Sequence, residues 1–152
     1  MKRVILTEEE VNNARDFAFE LIRKGKKGTF ENYFIGTLGE IAYAKYTDRK
    51  VNLEVYERRQ GDNGADFKDV QVKTTTWTGS NKQLKVNNND RCLTNPDVTK
   101  LVLAHVVLTN PTEVFLVGEI SKEVFLMHRS SNSKWDYWTV DEEELYDVEK
   151  SS

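Results

Sequence analysis

The run LVLAHVVLT, from Leu101 to Thr109, is nearly all apolar and rich in β-branched residues. Apolar side chains in both alternating registers suit a central strand buried on both faces. The rest of the chain must therefore supply covering layers, and its upstream half carries the pattern of helices.

Thr7 has the position of a helix N-cap, and Glu10 three residues on completes a capping box. Val11, Ala14, Phe17, Ala18, Leu21 and Ile22 follow at helical spacing, and Gly25 and Gly28 end that helix. A second helix is expected over about residues 32–46, with an apolar stripe of Ile35, Leu38, Ile41 and Ala42. The period then changes. Val51, Leu53 and Val55 alternate with polar partners as in a half-buried strand, and RRQGDNGA is turn-rich. ADFKDVQVKTT predicts two short strands around a tight turn at Lys68-Asp69. The polar stretch from Trp77 to Thr99 predicts a long loop. Asn110-Pro111 predicts a turn, EVFLVGEI and YWTV predict strands, and DEEEL a helical turn capped by Asp141. SKEVFLMH fits a short helix or an extended segment. Two helices followed by strands with little helix between them imply one α+β domain, with helices packed on a mostly antiparallel or mixed sheet.

The 152 residues suffice to bury a core, and no apolar run is long enough to span a membrane. MKRVILTEEE has too short an apolar stretch for a signal peptide. The single cysteine, Cys92, excludes an internal disulfide and a cysteine zinc site, which makes the cytoplasm the default compartment. The net charge of −3 argues against a nucleic-acid partner until its distribution is considered. Residues 141–152, DEEELYDVEKSS, are strongly acidic, and without them the chain is slightly basic. Basic residues gather at Arg23, Lys24, Lys26 and Lys27, at Arg58 and Arg59, and at Lys82, Lys85 and Arg91. Each cluster alone suits a solvated loop or helix end, and together they permit a phosphate-binding surface.

GADFKDVQVKTT is the segment with chemistry in it. On a strand, Gln71 and Lys73 share one face while Val70 and Val72 enter the core. Asp66 ends the preceding strand of the hairpin, so a carboxylate, an amide oxygen and an ammonium fall close together. A hard cation such as Mg2+ takes oxygen ligands, and a nearby lysine can orient water or offset developing negative charge. Glu40 adds a second carboxylate. Gly36, Glu40 and Ala44 recur along one face of the second helix, and glycines there cost roughly 1 kcal/mol each against alanine, which calls for a packing reason.

The pattern GxxGExA on a helix, then a strand, then D…QxK on a hairpin, resembles the PD-(D/E)xK nuclease superfamily of small phage and bacterial type. KLVLAHVVL, EVFLVGEIS and YWTVDEEEL resemble the tail of such proteins, so the resemblance spans about residues 30–146. It implies a restriction-endonuclease-like core and metal-dependent hydrolysis of DNA, with Mg2+ or Mn2+ as cofactor and a homodimer as a common assembly. By position, Glu40, Asp66, the Gln71 side-chain oxygen and the Val72 carbonyl would bind metal, and Lys73 would be the catalytic lysine. Ala65 stands where the motif has proline, Gln71 replaces an acid, and only four residues separate Asp66 from Gln71. The loss of a charge at Gln71 leaves an alternative, a degenerate module on the same fold that binds nucleic acid or protein without cutting.

Other chemistry-bearing residues have plainer readings. His105 suits a satisfied histidine of the core or sheet, and His128, beside Arg129 and Ser130, a surface loop ahead of a phosphate contact. Trp77, Trp135 and Trp138 could stack on bases, pack, or form a dimer interface. Cys92 sits in a polar stretch with no histidine near in sequence, and Asp62 belongs first to a turn. No glycine loop of the GxxxxGK[ST] type is present, which disfavours an ATPase.

Overall fold

The computed structural model describes residues 1–51, 53, 67–128, 130–131 and 137–150. It begins with a strand that the sequence pattern does not announce, β1 (Lys2–Ile5). Helices α1 (Glu8–Arg23) and α2 (Phe30–Thr47) follow. The capping box forms as expected: the Thr7 hydroxyl accepts from the Glu10 N–H at 3.0 Å, and the Glu10 carboxylate accepts from the Thr7 N–H at 2.8 Å. Gly25, at φ +75°, lets the chain leave α1 in a left-handed conformation. Lys45 on α2 donates to both Glu10 and the Ile5 carbonyl at 2.8 Å, which ties the two helices to β1.

The main sheet contains β1, β2 (Val70–Thr75), β4 (Lys100–Val107) and β5 (Asn110–Ser121), in the order β1-β5-β4-β2. β2 runs parallel to β4, and β4 and β1 run antiparallel to β5, so the sheet is mixed. β3 (Gln83–Asn87) lies inside the stretch expected to be a long loop. It pairs with β7 (Tyr137–Asp141), which pairs with β6 (Ser130–Ser131), in a second antiparallel sheet. Helix α3 (Lys122–His128) resolves the ambiguity of SKEVFLMH. The class is α+β, with three helices among the described residues.

β4 is the buried central strand that its composition demands. Val102, Ala104 and Val106 face a core built with α1, α2, β1 and β2. Leu101 and Leu103 face a second core built with β3, α3, β7 and the short 3-10 turn Arg91–Leu93. The register shift opposite Leu103 and Ala104 lets β5 serve both layers: Leu116 points to the helices and Ile120 to the second core.

Several local expectations change. The turn placed at Asn110-Pro111 falls at Leu108 and Thr109, because Val107 already pairs with Asn110. Val51 and Leu53 form no strand but pack, partly buried, on the first core. Val55, the loop RRQGDNGA with Asp62 and the Arg58-Arg59 pair, Asp66, Arg129 and Trp135 lie outside the described residues. Asp141 makes no capping hydrogen bond; its carboxylate accepts instead from Gln83 at 2.8 Å across the β3–β7 pair. Among the described residues no helix is long and apolar enough to cross a membrane.

Candidate active site

β2 is the edge strand of the main sheet among the described residues. Its entry is fixed by the turn at Lys68-Asp69, where the Phe67 N–H donates to the Val70 carbonyl at 3.0 Å. The Asp69 carboxylate accepts from Arg49 at 2.7 and 3.3 Å, and its carbonyl accepts from the Thr99 and Lys100 N–H groups. The Arg49 guanidinium holds the Asp69 carboxyl below its ordinary range, against the opposing effect of burial. This clamp sets the register of β2 on β4 just before the chemistry-bearing residues.

Alternation along β2 divides its side chains as expected. Val70 and Val72 are buried under α2 in the first core. Gln71 and Lys73 take the other face, beside Leu101 and Leu103 of β4. Gln71 does not stand in an open cleft, however. It is 7% exposed, and its Oε1 is buried without a hydrogen-bond partner. A buried acceptor in that state costs free energy unless a donor, a water or a cation reaches it.

Lys73 does reach the open space. It lines a cleft of about 560 Å3 together with Thr75, Trp77, Asn81, Gln83 and Lys85. Its ammonium donates to Asp90 Oδ2 at 2.7 Å. The other Asp90 oxygen accepts from the Cys92 N–H at 2.9 Å and so caps the 3-10 turn. Burial pushes the Asp90 carboxyl up, but the bond and charge of Lys73 and the Cys92 N–H outweigh it and hold it below the usual range. Cys92 itself is fully buried in the second core, not in a polar loop.

Glu40 sits half-buried on α2, the helix that covers the opposite face of β2 from Lys73. The close approach of helix to sheet is made by Gly39, one residue earlier. A Cβ there would overlap the Thr74 hydroxyl and lie 3.3 Å from Ala104 Cβ. Gly36, expected to share that role with Ala44, faces open space. The structure thus brings Gln71 and Lys73 to one face, adds Asp90, and leaves Glu40 on the helix side of the same edge strand. Asp66 lies outside the described residues. Among the described residues no group of three His, Cys, Asp or Glu side chains forms a ready-made metal site.

His105 is opposite Thr75 on β4 and is 7% exposed, with its ring 6.3 Å from Phe115. It is not fully satisfied as the sequence suggests, since its Nε2 is buried without a partner. Burial, then the charge of Lys82, press its pKa below the ordinary value, against a hydrogen bond with the Trp77 backbone and the charge of Glu142. Trp77 is 62% exposed, whereas Trp138 packs on the second core. Of the basic cluster at the end of α1, Arg23 is engaged by Glu20 within the helix.

Asp90 and the cleft are what sequence reasoning missed. The period-two pattern of QLKVN, with Leu84 and Val86 inward, was the available signal for β3 and hence for a wall opposite Lys73. Nothing local marks Asp90 as a lysine partner. Comparison of the chain with family models, curated proteins and solved structures finds no match in any of the three.

Proposed function

We propose that the chain is a metal-dependent nuclease that hydrolyses DNA phosphodiester bonds, on a restriction-endonuclease-like core. The observation that carries the reading is the pairing, on one face of an edge strand, of an unsatisfied buried Gln71 oxygen with the Lys73 ammonium at the wall of a cleft. The orphaned acceptor fits a hard cation such as Mg2+ or Mn2+. Gln71, the Val72 carbonyl, Asp66 and Glu40 are the residues that would hold it, at the β2 edge where the helix side and the Lys73 side meet. When bound, such an ion polarises the phosphoryl oxygen and lowers the pKa of water.

The chain's own groups supply the rest. Lys73 offers a positive charge beside the scissile phosphate and offsets the negative charge that grows on it. Asp90 fixes the direction of that ammonium and so acts as a positioning residue. Trp77 and Lys85 line the approach to it.

Incubation of plasmid, linear duplex and single-stranded DNA with Mg2+, Mn2+ or EDTA tests the reading. Degradation is expected only with metal, and Lys73→Ala and Asp66→Ala should each abolish it while circular dichroism stays unchanged. Cleavage that survives both substitutions, or none with either metal, removes the assignment. A second reading rests on the Lys73–Asp90 pair and on an amide where the motif has an acid: a module that binds nucleic acid without cutting. It predicts retained DNA binding, no cleavage, and no heat of Mg2+ binding in calorimetry.

A further inference from the structure

Trp77 is a large apolar side chain left 62% exposed, at the wall of the cleft that also holds Lys73 and Lys85. A Cβ on Gly79 would overlap the Trp77 Cε2, Nε1 and Cζ2 atoms, so the indole lies directly against the Gly79 backbone. The Trp77 backbone N–H donates to the Thr75 hydroxyl at 3.1 Å, and Lys82 Nζ donates to the Gly79 carbonyl at 3.3 Å. One side of the ring is backed by backbone, and the exposed remainder faces solvent. Lys85, which lines the same cleft, has its Nζ 5.1 Å from the Tyr137 ring centroid.

An aromatic plane in one cleft with the Lys85 ammonium, and with the Lys73 ammonium that Asp90 holds, matches the parts of a nucleotide: a base for the ring and a phosphate for Lys85 first. A base inside a duplex has both faces covered by its neighbours, so Trp77 can take only a base with an open face, which a single strand offers at every position. We propose that this cleft takes an unpaired nucleotide of single-stranded DNA, its base stacked on Trp77 and its backbone directed to Lys85 and Lys73. The inference rests on the nuclease reading for the identity of the ligand as DNA, but not for cleavage. It assigns the part of the substrate that the cleft prefers: an unpaired nucleotide, as in a single strand, a flap, a frayed end or a locally opened duplex.

Binding measured in EDTA separates the two ideas, because no cutting is needed. The probes are a labelled oligothymidylate of about 15 nucleotides, an abasic strand of the same length, and a duplex of that length. The protein should prefer the oligothymidylate to both others. Trp77→Ala should weaken oligothymidylate binding by about tenfold and leave abasic-strand binding unchanged, while Trp77→Phe should keep most of the affinity. Lys85→Ala should weaken all three probes and flatten the salt dependence. Equal affinity of the unaltered protein for abasic and base-bearing strands, tighter duplex binding, or an unaffected Trp77→Ala variant overturns the proposal. Stacking without metal-dependent cleavage would instead uphold this inference and remove the nuclease reading.

Discussion

His105 is the residue whose environment most directly predicts a pH response. Its ring is buried, one nitrogen lacks a partner, and the charges of Lys82 and Glu142 act on it with opposite effects. Burial is the largest influence, so the folded pKa lies below the ordinary 6.5 of the unfolded chain. As pH falls from that ordinary value, the unfolded state binds a proton before the folded state does. Stability supplied by the neutral ring is therefore full above the unfolded pKa and is lost as pH falls through the folded one. Urea denaturation across that window should show stability declining with acid. His105→Phe, which fills a similar volume and carries no proton, should flatten the decline and remove the unsatisfied nitrogen. An unchanged pH slope in His105→Phe would assign the acid sensitivity to another group.

At the scale of elements, α2 against β2 decides how the site is held together. Gly39 and Gly36 look alike in sequence, yet only Gly39 touches the sheet. Gly39→Ala should destabilise the fold by about 1–3 kcal/mol through overpacking against Thr74 and Ala104. Gly36→Ala, with open space before it, should instead stabilise by roughly 0.5–1 kcal/mol by restoring helix propensity. Denaturant midpoints of the two variants should move in opposite directions, and a matching loss in both would mean that α2 meets its neighbours by the other face. The contrast also marks how far sequence carries. α1 was legible because its capping box and apolar stripe are local, and β4 because its apolar run leaves no solvent face. β1 was not, since KRVI is stabilised by Val114 and Phe115 far along the chain. β3 was hidden because a single period-two stretch in polar surroundings is common in loops. The shared face of Gln71 and Lys73 follows from strand alternation alone. The Lys73–Asp90 bond joins residues 17 apart through a fold that no local pattern encodes.

For the molecule as a whole, the open matter is the free energy stored at Gln71. Its amide is enclosed by the main sheet and the second core, and its oxygen has no partner. Gln71→Glu restores the acid that the nuclease pattern calls for and puts a charge where water is excluded. Without metal, that charge should lower global stability by about 1–3 kcal/mol, discounted by whatever Lys73 offsets on the same face. With metal, the deficit should shrink, because a cation that binds only the folded state stabilises each protein in proportion to its own affinity, and the added carboxylate raises that affinity in the variant. Thermal unfolding should thus show Gln71→Glu melting below the unaltered protein in EDTA and rising more steeply with Mg2+. DNA cleavage at limiting Mg2+ should rise with it, since the added carboxylate tightens the ion. A destabilised variant that Mg2+ does not rescue would mean that the Gln71 oxygen faces no cation site, and the face it shares with Lys73 would then serve binding alone.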